Sequence, residues 1–235
     1  MANKIVYGLS NVHVWPIVST SDAGVPTYGT KIKMPGAVSM SLDAEGSSDP
    51  FYADDVVYYQ GTANNGYSGT LTIADLVDAF LVNVMGETID SNGAHIENSN
   101  TEPKEFAMAF EFKGDQKKRR HLFYRCKTTR PSVASNTKED SVTPNTLDLS
   151  LTAMPRLDNN NVKARCEESD TAYADWYGST PYEPSVTYEY TEILTPGEAS
   201  PVLEGWYEKD GTVYFLSADT EVDEQKTYYK RTVAS

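Results

Sequence analysis

Pro35-Gly-Ala-Val-Ser-Met-Ser-Leu-Asp-Ala-Glu-Gly46 alternates apolar and polar residues, with Val38, Met40, Leu42 and Ala44 set between Ser39, Ser41, Asp43 and Glu45. Successive side chains of an extended chain point to opposite faces, so this period of two predicts a half-buried β-strand. Leu147-Asp-Leu-Ser-Leu-Thr-Ala-Met154 has the same rhythm: Leu147, Leu149, Leu151 and Ala153 oppose Asp148, Ser150, Thr152 and Met154. In Phe106-Ala-Met-Ala-Phe-Glu-Phe112 the large residues Phe106, Met108, Phe110 and Phe112 share one side, away from Ala107, Ala109 and Glu111. Leu122, Tyr124 and Cys126 read as the partner strand of a hairpin whose turn is Gly114-Asp-Gln-Lys-Lys-Arg-Arg120. The fold is therefore expected to be mainly β.

One helix interrupts the strands. Asp75-Leu-Val-Asp-Ala-Phe-Leu-Val-Asn-Val-Met-Gly86 places Leu76, Phe80 and Val84 on one stripe, with Asp75 as the expected N-cap and Gly86 as the stop. Such a helix should cover an open end or face of the sheet structure. A second, weaker helical pattern runs from Asp170 to Tyr177. Prolines and glycines from Gly178 to Pro184 and from Thr195 to Pro201 punctuate the chain as a linker would. The expected organisation is a main domain over 1–180, a linker over 181–201 and a small three- or four-stranded appendage over 202–235. The appendage carries the pairs Trp206-Tyr207, Tyr214-Phe215 and Tyr228-Tyr229, with Asp210-Gly211 as a two-residue hairpin turn.

The 235 residues carry a formal charge of −14 and a pI near 4.6, which argues against a protein that grips phosphates through a basic patch. No apolar run approaches the ~18 residues of a membrane span, and Met1-Ala-Asn-Lys-Ile5 lacks the apolar stretch of a signal peptide. Cys126 and Cys166 have neither a zinc spacing nor a disulfide framework around them and are read as buried free thiols.

No catalytic constellation is organised in the sequence, and neither enzyme activity nor a cofactor or metal is expected. His13, His95 and His121 are scattered and read as strand or rim residues. Gly24-Val-Pro-Thr-Tyr-Gly-Thr-Lys31 has the wrong order for a phosphate loop, and Gly66-Tyr-Ser-Gly69 lacks the spacing of a nucleophile elbow. Asp54 and Asp55 with Asp43 and Glu45 could form paired carboxylates or calcium ligands, but solvated loop acids are the plainer reading. Lys117-Lys118-Arg119-Arg120 is the basic cluster of an acidic chain, suited either to solvent or to an acidic neighbour in an assembly.

The polar strand faces are unusual in being short: Ser39, Ser41, Asp43; Ser68, Thr70, Thr72; Asp148, Ser150, Thr152. Freely solvated faces usually carry long charged side chains, so these are candidates for packing on a neighbour or lining a narrow channel. Phe51-Tyr-Ala-Asp-Asp-Val-Val-Tyr-Tyr59 and Asn64-Asn-Gly-Tyr-Ser-Gly-Thr-Leu-Thr-Ile73, together with the opening stretch, Lys104-Glu-Phe-Ala-Met-Ala-Phe-Glu-Phe-Lys-Gly114 and Thr129-Arg-Pro-Ser-Val-Ala-Ser-Asn-Thr-Lys138, resemble the major tail tube protein of long-tailed (siphovirus) bacteriophages. The resemblance covers roughly residues 1–180.

It implies a β-sandwich or barrel-like subunit with one flanking helix, assembled as hexameric rings. Those rings stack so that one sheet per subunit joins a continuous inner β-barrel. The implied function is a virion tail conduit for DNA ejection, built in the host cytoplasm. The implied partners are other copies of the chain, a tape measure protein, tail terminator or distal tail proteins and passing double-stranded DNA, with no membrane. The segment from Ser47 to Asn65 would reach an adjacent subunit or ring through Phe51, Tyr52, Asp54, Asp55, Tyr58 and Tyr59, unless it is a simple core hairpin. A rival reading is a virion or extracellular carbohydrate-binding β-protein that stacks the appendage aromatics on sugar rings.

Overall fold

The computed structural model describes residues 5–53, 55–135, 145–184, 188–194, 205–209, 212–216 and 228–233. The chain divides into two compact units, Met1–Tyr182 and Glu183–Ser235. In the first unit the strands are β1 (Leu9–Thr20), β2 (Pro26–Tyr28), β3 (Ile32–Lys33), β4 (Ala37–Glu45), β5 (Ser48–Ala53), β6 (Val56–Thr62) and β7 (Gly66–Ile73). They are followed by β8 (Thr88–Ile89), β9 (His95–Ile96), β10 (Phe106–Phe112), β11 (Arg120–Thr128), β12 (Leu147–Ala153) and β13 (Lys163–Cys166). Nine of these make one antiparallel sheet in the order β2-β1-β10-β11-β12-β7-β4, with β3 joined to β1 and β13 to β11. The sheet curls until β1 and β4 approach each other, which gives the unit its barrel-like form.

The alternating runs fold as their period demands. In β12 the residues Leu149, Leu151 and Ala153 are buried while Asp148, Ser150 and Thr152 are exposed. The inner face holds the larger core, where Val14, Leu71, Ile73, Phe106, Met108, Leu149 and Leu151 meet. β10 is buried on both faces: Ala107 and Ala109 belong to a second cluster with Trp15, Leu122, Tyr124, Cys166 and Trp176. The small alanines leave room for Trp176, whose ring stacks on Tyr182 at 5.1 Å. The segment 167–182, with a 3-10 turn at Thr171–Tyr173, thus covers the outer face of β10 and β11.

Several expectations need correction. A bulge in β11 lies between the pairs Phe106–Cys126 and Met108–Phe123, so Ala107 of β10 stands opposite two residues of β11, Tyr124 and Arg125. Cys126 is thereby switched to the inner core, away from the face of Leu122 and Tyr124. A second bulge falls between Ala37–Ile73 and Ser39–Thr72, and it leaves Val38 57% exposed. The helix begins later than the capping pattern suggests. Asp75 accepts a bond from the adjacent Leu76 N–H at 2.8 Å, and a turn of α-helix, Asp78–Phe80, follows Val77, whose side chain provides no cap. That turn runs into a π-helical turn, Leu81–Met85, which ends at Gly86 with φ 79. Leu76, Phe80 and Val84 are all buried, so the stripe itself stands. Cys126 and Cys166 are buried free thiols, and burial pushes the Cys166 thiol up to about 11.

In the second unit β14 (Tyr188–Leu194), β15 (Gly205–Lys209), β16 (Thr212–Leu216) and β17 (Tyr228–Val233) form an antiparallel sheet in the order β14-β17-β15-β16. Part of the expected linker over 181–201 is therefore a strand: β14 runs in register with β17 from Tyr188–Val233 onward. The register sets Trp206 opposite Phe215 and Tyr207 opposite Tyr214. The Asp210-Gly211 turn and the stretch from Thr195 to Pro201 lie outside the described residues.

Gly69 shows how tightly β4 and β7 are wound together. A Cβ at this position would sit 1.9 Å from the Ser41 carbonyl oxygen. Gly69→Ala is expected to destabilise the chain by about 3 kcal/mol, the upper end of the ~1–3 kcal/mol range for overpacking, since a main-chain oxygen cannot rotate away. Urea unfolding followed by circular dichroism reads this as a lower midpoint at unchanged slope.

Candidate assembly surface

The three strands at one end of the sheet, β12, β7 and β4, carry the short polar residues, and their register brings all of them together. Thr72 lies between Asp148 and Ser39, Thr70 between Ser150 and Ser41, and Ser68 between Thr152 and Asp43. Because side chains alternate across a strand, these three rows share one face, opposite the buried leucines. Thr72 Oγ1 donates to Asp148 Oδ1 at 2.7 Å, and Ser68 donates to Glu45. Among the described residues no lysine or arginine stands in these rows. The surface is smooth, hydroxyl-rich and mildly acidic, and it ends at β4, which has a paired neighbour on one side only.

From that edge a two-stranded arm projects. β5 pairs with β6, from Ser48–Thr62 to Ala53–Val56, and the sheet they form contains no other strand. The arm continues the β4–β7 ladder: Asn65 N–H donates to Glu45 O at 2.8 Å and Ala63 N–H to Ser47 O at 2.9 Å. Asp55 holds the turn with φ 62. Val56, Val57, Tyr58 and Tyr59 are 59%, 50%, 74% and 67% exposed, so β6 is no core hairpin. Phe51 and Tyr52 lie on β5, while Asp54 falls outside the described residues. Asp55 stands a strand's length from Asp43 and Glu45, about 20 Å for six residues at ~3.3 Å each. Among the described acids of the suggested carboxylate cluster, Asp55 is not brought to Asp43 and Glu45.

The basic turn is matched within the chain. Lys117 Nζ meets Glu167 at 2.8 Å, and Lys118 pairs with Glu168. Arg119 Nε donates to Asp115 Oδ2 at 2.6 Å. Arg120 Nε donates to Glu111 at 3.3 Å while its guanidinium lies 3.5 Å over the Tyr173 ring. The acidic neighbours of this cluster are thus its own chain's residues: Lys117, Lys118 and Arg120 hold the segment 167–173 against the sheet, while Arg119 braces the turn through Asp115. No local signal announces this, since Glu167 and Glu168 lie fifty positions downstream. Burial of the Asp115 carboxyl would raise its pKa, but the hydrogen bond and charge of Arg119 and the Lys117 N–H bring it below the usual carboxylate range.

The histidines stand in separate contacts. His13 is buried beside Tyr177, at 4.9 Å between rings, and His121 stacks on Phe110 at 5.2 Å. Burial lowers the pKa of both. His95 ties β9 to the helix region through Glu87 at 3.0 Å and Asp78 at 3.9 Å. Among the described residues no group of three or more His, Cys, Asp or Glu side chains is placed to hold a metal ion. No helix among them is long and apolar enough to cross a membrane. No family model matches this chain, and no curated protein does.

Proposed function

We propose that this chain is a structural virion protein that assembles into stacked hexameric rings, forming a phage tail tube through which DNA passes into the host. The observation that carries this reading is the in-register face of short polar side chains on β12, β7 and β4, ending at an edge strand. An unpaired edge invites a strand from a neighbour, and closure of such edges around a ring removes them altogether. A wall of Ser, Thr and Asp leaves the bore wide and offers DNA no cation to hold it. The charge of −14 on every subunit adds repulsion toward phosphates. By this reading the partners are further copies, a tape measure protein and tail terminator or distal tail proteins, and the place of action is the virion tail.

Negative-stain microscopy of the purified protein tests it directly. Tubes or six-fold rings are the expected image, and monodisperse monomers at all concentrations overturn it. The paired aromatics of β15 and β16 favour a second reading, a carbohydrate-binding module, for the C-terminal unit. Truncation after Pro184 separates the two roles. Because the first unit closes its own core by Tyr182, the shortened chain is expected still to build tubes. Loss of assembly, or a widened channel, would make the second unit part of the ring itself.

A further inference from the structure

Two features of the first unit lack partners within it. The run Val56-Val57-Tyr58-Tyr59 is apolar on consecutive residues, the pattern of a strand covered on both faces, yet all four side chains are exposed. The second feature is a cleft of about 450 Å³ between β4 and the β10–β11–β13 end of the sheet. Its wall is Met40, Leu42, Tyr67, Phe110, Phe112 and Phe123, and Lys163 and Arg165 also line it. The volume lies within the ~300–1,000 Å³ range of clefts that enclose a ligand.

Charge selects the occupant. The arm carries Asp49, Asp54 and Asp55 and no lysine or arginine between Gly46 and Asn65. Lys163 and Arg165 are exposed and pair with no carboxylate among the described residues, unlike the four cations of the basic turn. The two surfaces are therefore apolar at the centre and opposite in charge at the margin, the arrangement that fixes orientation in an interface.

A chain cannot fill its own cleft. Tyr67 lines the cleft and also begins the ladder that carries the arm outward through Asn65–Glu45, Ala63–Ser47 and Ser48–Thr62. Tyr59 lies eight residues along that ribbon, on the order of 25 Å from Tyr67 at ~3.3 Å per residue. Folding it back would break the ladder.

We infer that the cleft receives the β5–β6 arm of a second copy of this chain, with Val57 and Tyr59, or Val56 and Tyr58, seated among the aromatic residues and the arm's aspartates against Lys163 and Arg165. Donor and acceptor surfaces differ, so the contact is head to tail and propagates into a closed ring or an open filament. The inference rests on the reading of the arm as an intersubunit element and names its receiving site.

Mixing two variants tests it, each defective in one half. One lacks residues 52–60 and keeps its cleft; the other, Lys163→Glu with Arg165→Glu, keeps its arm and reverses the margin. Both are checked for native circular dichroism, and Ala164→Trp, which fills the cleft with bulk, serves as a second cleft variant. In sedimentation velocity each variant alone is expected to lose at least tenfold in self-association, while the mixture forms a 1:1 dimer through one arm and one cleft. Adding Asp54→Lys and Asp55→Lys to the reversed variant is expected to restore its association. A mixture that stays monomeric, or cleft variants that associate like the parent, overturns the inference. Tubes of normal length from the parent and the cleft variants alike would sink the contact and leave the tube reading standing. A 1:1 dimer from the mixture, with parent chains that never form rings, would do the reverse.

Discussion

Deleting residues 52–60 is expected to leave a folded, soluble β-protein that, on the proposed tube reading, no longer polymerises. The deletion removes the arm tip, whose described side chains from Asp55 to Gln60 are all exposed, so little of the core energy is touched. Far-UV circular dichroism and the thermal midpoint should stay close to those of the parent, while electron micrographs lose their tubes. The reason for so one-sided an effect lies in the burial balance. Covering a Val or a comparable apolar side chain contributes about 1.5–3 kcal/mol, and every subunit forfeits several such burials at once. Tubes of normal length from the deletion would return β5–β6 to a surface ornament.

A large effect on stability is expected at Asp115, whose side chain is fully buried against Arg119. Besides the ion pair, its Oδ1 accepts the Lys117 N–H at 3.0 Å and so shapes the turn in which Lys118 adopts φ 47. Asp115→Ala removes the anion and leaves Arg119 without its charge partner. The expected loss is about 3 kcal/mol, the low end of the ~3–5 kcal/mol seen for broken buried pairs, because Arg119 is 23% exposed and can turn to water. At ~2–4 °C per kcal/mol the thermal midpoint should fall by about 6–12 °C. The pH dependence has a definite sign. A carboxylate whose folded pKa is lowered contributes stability above its unfolded value, about 3.9, and loses it as the pH falls through the folded value. The gap between parent and variant should therefore be constant from pH 7 to 5 and narrow only below about pH 4. A gap that widens in acid would contradict the ion pair.

Local periodicity carried the strands that frame the polar face. β12 alternates cleanly and β4 does so from Ser39 to Asp43, and the short polar residues that the sequence singles out fall in rows on one surface. What local pattern could not reveal were events that depend on a distant partner. The β11 bulge that turns Cys126 inward is set by the register against β10, and the bulge at Val38 by the register against β7. Asp75 carries the side chain of an N-cap, but it is spent on the Leu76 N–H and the helix waits three residues. The partners of Lys117 and Lys118, Glu167 and Glu168, lie fifty positions downstream, where no local pattern marks them. β14 was legible in principle, since Tyr188 to Leu194 is rich in aromatic and β-branched residues, but the prolines on either side suggested a linker.

The arm also has a consequence for the order of events in synthesis. The sheet closes through pairings far apart in sequence, Leu9 with Phe112 and Leu147 with Ile73, whereas Phe51 meets Tyr59 across a short turn. Local hairpins form in about 1–10 μs, while sheets dominated by distant pairings take milliseconds to seconds. The sticky Val-Val-Tyr-Tyr ribbon is thus in place before the body that will carry it. A nascent chain in that interval resembles the short, aromatic, β-prone segments that seed aggregates. Asp49, Pro50, Asp54 and Asp55 interrupt the ribbon with charges and a proline, the residue types that keep such segments of half-made copies from pairing with one another.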